Sequence, residues 1–339
     1  MIKLGIIGAG AWGTALALVA ARSGCAVTLG TRNEAQALEI TQQHTNHKAF
    51  PKSLGDLIFD QPLKASNDLS FLSSCDAIVL AIPAQSTRTL CRMLHSLLEK
   101  PVPLILTAKG IEHNTNVLMG QIVEQECPGT PYAVLSGPNF AREVAANLPT
   151  ATTIASTNMA VAQQVAGYFS TSTFRPYLSE DVVGVQVGGA VKNVIAIATG
   201  IAEGRQLGEN ARAALITRGL AEIVRLGLAM GGQLETFLGL SGCGDLTLTC
   251  SSRQSRNTSY GILLAQQGNI QHQESTPHPT LREGVFTAQT ILALAHHHQV
   301  DLPVCTAVHR IVTHALTVDE VLEDLLNRPL QWENSRLFP

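Results

Sequence analysis

The sequence predicts an α/β protein joined to an all-α one: a doubly wound, mostly parallel N-terminal sheet followed by an all-helical C-terminal domain. Two observations carry that expectation. Across residues 1–180 short apolar runs alternate with helical stretches, and those at Lys3–Ile7, Ala77–Ala81, Leu104–Ala108 and Tyr132–Leu135 end in glycine- or proline-bearing loops. From Asp181 the apolar residues recur with a helical period and continue so, which places the division at 1–180 and 181–339.

The composition narrows the class. With 45% apolar and 14% charged residues the chain is a folded, compact protein. A net charge of −3 gives no electrostatic reason for nucleic acid or an anionic membrane as partner. The seven cysteines are scattered without a C-x-x-C pair, which suits free thiols and neither a disulfide scaffold nor a zinc site, so no metal is expected. No signal segment precedes the first apolar run, and the expected location is cytoplasmic.

Lys3–Ile7 is the first strand, and it runs into Gly-Ala-Gly-Ala-Trp-Gly. Gly8, Gly10 and Gly13 have the G-x-G-x-x-G spacing, followed by a helix over Thr14–Arg22, a stop at Gly24 and a second strand, Ala26–Leu29. Strand, glycine turn, helix and strand together form a Rossmann-type dinucleotide site. Gly8 permits the tight turn, Gly10 admits a pyrophosphate and Gly13 brings helix and strand together. Arg32 follows the second strand, where a carboxylate would favour NAD and an arginine favours NADP. The choice tilts toward NADP(H) without excluding NAD(H); the alternative for Arg32 is a solvated side chain.

Thr41–Pro62 is polar and turn-rich and reads as an excursion over the sheet. Buried-type strands follow at Ala77–Ala81, Leu104–Ala108 and Tyr132–Leu135, and Thr152–Ala155 and Phe174–Leu178 extend the sheet around a helix at Ala160–Phe169. Ligands bind beyond the carboxyl ends of such strands, which places Lys109 toward a cofactor's reactive end. Its alternative is an ordinary surface lysine.

In the second domain, Val183–Ala202 is apolar nearly all round, with Lys192 as its only charge. A central lysine costs about 2.5–3.5 kcal/mol in a membrane span, so the segment reads as a buried helix. A buried ammonium needs a partner or must lose its proton. Gly188 and Gly189 precede it on the same face and clear space beside it, as proton transfer to a carbonyl would require. The alternative is a structural lysine paired with one carboxylate.

Glu209–Met230 is an amphipathic helix with Arg218 and Glu222 spaced as an i, i+4 pair. The glycine-rich run Gly239–Thr249 supplies Asp245, the natural counter-charge for Lys192, or otherwise a helix cap or turn former. Ser255-Arg256-Asn257 heads the helix Ser259–Gln267; an arginine at a helix start suits a phosphate, its alternative being an exposed side chain. Gly268–Arg282 reads as a loop, His296-His297-His298 as a solvated face, and Glu283–His297, Val304–Ala315 and Val318–Leu325 as closing helices.

The motifs GAGAWGTALA, AKGIE, LSGPNFAREV, GVQVGGAVKNVIAIATGIAEG, ARAALITRGLAE, GCGDLTLTCSS, QSRN and REG occur in that order over essentially the whole chain. In this the chain resembles the bacterial-type NAD(P)-dependent glycerol-3-phosphate dehydrogenases. The resemblance implies reversible hydride transfer between dihydroxyacetone phosphate and sn-glycerol 3-phosphate, feeding phospholipid synthesis. It implies Lys192 as proton donor and acceptor, with Lys109 and Asp245 as companions. It implies that Ser255, Arg256, Asn257, Gly137 and Asn139 hold the substrate near Thr249. Cofactor contacts are implied for Ala11, Trp12, Arg32, Lys109, Ala141, Arg256, Leu281 and Glu283.

The chain departs from the family pattern at Asn139, where Ser or Thr is usual, at Cys243, usually aliphatic, and at Leu281-Arg282, usually more apolar. Two other readings stay open: a related two-domain 3-hydroxy acid dehydrogenase, and a non-catalytic NAD(P)-sensing module. The sequence also leaves the oligomeric state open, a homodimer being common for such folds.

Overall fold

The computed structural model describes residues 1–55, 57–266, 281–313 and 315–327. Its chain divides into a sheet unit, Met1–Lys109 with Val117–Val182, and a helical unit, Gly110–Asn116 with the chain from Val183 on.

The sheet unit holds eight strands: β1 (Lys3–Ile7), β2 (Ala26–Gly30), β3 (Lys64–Ser66), β4 (Ala77–Leu80), β5 (Leu104–Leu106), β6 (Tyr132–Ser136), β7 (Thr150–Ala155) and β8 (Phe174–Ser179). Their order is β3-β2-β1-β4-β5-β6-β7-β8, parallel throughout except that β7 runs antiparallel to β6. The order reverses direction beside β1, the topological switch point at which open α/β sheets bind ligands. Register carries the strand ends to one edge: Ile7 lies opposite Gly30 and Leu80, Leu80 opposite Leu106, and Leu106 opposite Val134.

The helix Ala11–Arg22 begins three residues earlier than the sequence pattern suggests, and Gly13–Ala20 are all buried. At its end Arg22 pairs with Asp60 at 2.8 Å and donates to the Val144 and Ala145 carbonyls. The stretch from 41 to 62 is more than an excursion, because Phe50 and Phe59 enter the core. β3 shows no apolar alternation; it is a three-residue edge strand that β2 holds by backbone pairing.

The helical unit is built on Val182–Gly204. By length and composition this helix could cross a membrane, yet 83% of its apolar window is buried inside the protein. The helix Arg256–Gln266 crosses it at a pair of glycines. A Cβ at Gly200 would fall 2.1 Å from the Thr258 carbonyl oxygen, and one at Gly261 2.2 Å from that of Ile197. Only glycine at both positions lets the two backbones come this close.

Glu222, on the helix Gly208–Ala229, is buried and has partners other than the i, i+4 Arg218 that its spacing suggests. Its carboxylate accepts from the backbone N–H of Val304 at 2.5 Å and of Cys305 at 3.0 Å, capping the buried start of Pro303–Val312. Burial raises its pKa against those hydrogen bonds. The folded chain therefore holds this proton more tightly than the unfolded one, and the stabilisation is full below about pH 4.5 and declines as pH rises through the raised value. Glu222→Gln should accordingly gain in melting temperature relative to wild type as pH rises from 4.5. A pH-independent difference would contradict this.

Candidate active site

In the sheet unit the glycine turn has the geometry its spacing calls for. Gly8 has φ +112°, and a Cβ there would meet the Ala81 carbonyl oxygen at 2.2 Å. A Cβ at Gly13 would fall 1.9 Å from the Gly8 carbonyl oxygen, so this glycine allows the helix to sit directly on the turn. Gly10 is different: nothing lies within 4 Å of its Cβ position. Two glycines serve packing and the middle one leaves open space at a helix start, which fits a pyrophosphate. Ala11 and Trp12 are half-buried in the first turn, and Arg32 is exposed beyond β2 with no ion pair among the described residues.

Lys109 follows β5 and donates from Nζ to the Gly137 carbonyl at 2.9 Å. That links the loops after β5 and β6. Gly137 has φ +150°, and a Cβ there would press on Thr152 Cα at 3.1 Å. Asn139 donates to the Ala151 carbonyl at 3.0 Å and accepts from Thr152 Oγ1 at 3.2 Å, so both ends of its amide brace β7. Ala141 opens the short helix Ala141–Ala145.

In the helical unit Lys192 is buried, its side chain 7% exposed, and it forms an ion pair with Asp245, 1% exposed. Its Nζ also donates to Thr249 Oγ1 at 2.7 Å. Thr249 spends its own proton on the Asp245 carbonyl at 2.7 Å, so the hydroxyl turns a lone pair toward the ammonium. A wide turn at Leu240–Gly244 carries the chain into the helix Asp245–Cys250. Here Gly188 corrects the sequence reading. Its missing side chain admits the Ser241 carbonyl, 2.6 Å from the Cβ position, and not a ligand. The effect is to bring the Asp245 turn against the lysine helix.

Three of the substrate-binding candidates, Ser255, Arg256 and Asn257, lie in the same unit at the start of the helix Arg256–Gln266. Ser255 is buried and caps the helix, its Oγ accepting from the Thr258 N–H at 3.2 Å. Asn257 donates to Asn193 Oδ1 at 2.9 Å, and Thr258 donates to the Thr249 carbonyl at 2.8 Å. Arg256 is exposed on the first turn, with no ion pair among the described residues. Asn193 is a residue the sequence analysis overlooked, although its place beside Lys192 was a usable signal. Leu281 and Glu283 open the helix Leu281–His297, but their side chains lie outside the described residues; of the expected loop Gly268–Arg282, residues up to 280 also lie outside them, while Leu281 and Arg282 are helical and so correct its end. All seven thiols are free, and His296 and His297 are exposed.

A Rossmann-type sheet with this glycine turn, together with a helical unit built on a buried Lys–Asp pair, defines an NAD(P)-dependent dehydrogenase. Comparison with known proteins gives the family. Its models, the N-terminus and C-terminus of NAD-dependent glycerol-3-phosphate dehydrogenase, match residues 3–162 and 181–323. A glycerol-3-phosphate dehydrogenase of Parvibaculum lavamentivorans, named for NAD(P)+, is 43% identical over 98% of both chains, and one of Caulobacter vibrioides 45% over 98% of both. The crystal structure of the Coxiella burnetii enzyme superposes with a TM-score of 0.88 at 37% identity, covering 96% of this chain and 99% of that one. The chain belongs to the NAD-dependent glycerol-3-phosphate dehydrogenase family.

Proposed function

We infer that the chain reduces dihydroxyacetone phosphate to sn-glycerol 3-phosphate with NAD(P)H, reversibly, and so supplies the backbone of glycerophospholipids. The observation that carries this reading is the buried ion pair between Lys192, in the mostly apolar helix Val182–Gly204, and Asp245, at the start of the helix Asp245–Cys250. The nicotinamide cofactor, when bound, supplies the hydride. Gly10, Ala11 and Trp12 would hold its phosphates on the turn that Gly8 and Gly13 shape by close packing, and Arg32, Lys109, Ala141, Arg256, Leu281 and Glu283 its remaining parts. Arg32, exposed beyond the second strand, favours NADPH.

The chain's own residues do the rest. Lys192 donates a proton from Nζ to the substrate's C2 oxygen as negative charge develops there. Asp245 is the counter-charge of the buried amine, and Thr249 fixes its direction. Lys109 adds a second positive charge. Arg256 takes the phosphate at a helix N-terminus, with Ser255, Asn257, Gly137 and Asn139 completing the substrate contacts. The free thiols suit a reducing, cytoplasmic setting.

The direct test follows reduced-nicotinamide absorbance with NADH and NADPH separately, on adding dihydroxyacetone phosphate. Oxidation with a higher kcat/KM for NADPH is expected, and no oxidation with either cofactor would overturn the reading. Arg256→Ala should raise the substrate KM by about 10- to 100-fold, the range for losing a charge-assisted hydrogen bond. An unchanged KM would remove its phosphate role.

A further inference from the structure

Four buried polar side chains meet under the glycine turn, outside every cofactor contact named above. Gln36 Nε2 donates to the Ala9 carbonyl at 2.8 Å, and Asn46 Nδ2 donates to the same oxygen at 3.1 Å. Gln36 also donates to Asn46 Oδ1 at 3.0 Å, Asn46 to Thr14 Oγ1 at 2.9 Å, and Thr31 Oγ1 to Gln36 Oε1 at 2.8 Å. Both amide groups thus use both of their donors, and flipping either would set an oxygen against the Ala9 oxygen. Asn46 is 1% exposed, deep for a residue from a polar stretch. Glu39 holds it there, accepting from Thr45 Oγ1 at 3.0 Å and from the His47 N–H at 2.7 Å.

The Ala9 carbonyl shares a planar trans peptide with the Gly10 N–H, and the two point in opposite directions. Drawing the carbonyl down to Gln36 and Asn46 turns that N–H the other way, at the glycine whose Cβ position is open. The Thr31 link joins the same network to the residue before Arg32.

We propose that Gln36 and Asn46 are positioning residues for the dinucleotide. By clamping the Ala9 carbonyl they aim the Gly10 N–H at a pyrophosphate oxygen, and through Thr31 they tie that aim to the Arg32 loop, where NADH and NADPH are told apart. This rests on the reading of the glycine turn as the cofactor site.

The test titrates NADH and NADPH into the full-length wild type, Asn46→Asp, Gln36→Leu and Thr31→Val by nucleotide fluorescence, with steady-state kinetics alongside and circular dichroism to confirm folding. For Asn46→Asp and Gln36→Leu, Kd for both cofactors should rise about 10- to 100-fold, as leaving a buried carbonyl short of donors implies. Their kcat at saturating cofactor and KM for dihydroxyacetone phosphate should stay within about twofold of wild type. Thr31→Val removes the relay to Gln36 and the acceptor for the Asn33 N–H, both on the Arg32 loop, and should weaken NADPH more than NADH, by about 2- to 10-fold. If Asn46→Asp does not fold, the other two variants decide the matter.

Folded variants that bind both cofactors like wild type would overturn the clamp while leaving the cofactor site standing. So would a loss spread equally over Kd, kcat and substrate KM, because general loosening would produce it. A wild type that binds neither nucleotide would bring down the functional reading and this inference with it.

Discussion

Lys192→Ala is expected to lower kcat for dihydroxyacetone phosphate reduction by at least about 10²–10⁴-fold, the range for removing a positioned general acid. Cofactor affinity should survive, because the proposed contacts of the glycine turn lie in the sheet unit and Lys192 in the helical one. The size of the effect follows from the setting. The ammonium is nearly sealed from solvent, and Asp245 and Thr249 hold it in one orientation. Bulk water replaces such a donor poorly. Steady-state kinetics with a parallel nucleotide titration checks both parts, and turnover within about tenfold of wild type would show that the proton comes from elsewhere.

Asp245→Asn should have the second largest effect, and of a different kind. Removing one partner of a buried ion pair costs about 3–5 kcal/mol because the other charge is left unmatched. The lysine can escape that cost only by giving up its proton. In wild type the carboxylate faces the amine as its counter-charge; with it gone, burial favours the neutral amine. The proposed mechanism uses the protonated amine, so the rate should begin to fall at lower pH than in wild type as pH rises. The variant should also melt earlier. A pH–rate profile that superimposes on wild type, even with reduced kcat, would mean that Asp245 does not set the charge of Lys192.

The Lys–Asp pair was legible in the sequence because a single charge in an apolar helix demands a partner, and Asp245 lies in a nearby run too rich in glycine to be ordinary helix. The glycine turn was legible for a similar reason: spacing and context constrain each other. Short-range pattern fails where the deciding contact is distant. Asn46 stands in a polar stretch and reads as surface, yet it is buried under the turn. Glu222 has Arg218 at the right spacing but caps a helix that starts 81 residues later, at Pro303. Gly188 looked like room for a substrate and is filled by backbone. The Gly110–Asn116 segment packs with the helical unit although it follows a strand of the sheet, and nothing in its composition announces that. β3 is held by backbone pairing with β2, to which its side chains give no clue.

The proton donor can be tested most directly by chemical rescue of Lys192→Ala. The substitution removes a buried side chain that lies against Asp245 and Thr249, and small primary alkylammonium ions are the probes for the space it leaves. Turnover should return in proportion to amine concentration and vary with amine acidity, while wild type is unaffected. No rescue by any amine, in a variant that still binds NAD(P)H and dihydroxyacetone phosphate, would contradict the assignment of Lys192 as the acid.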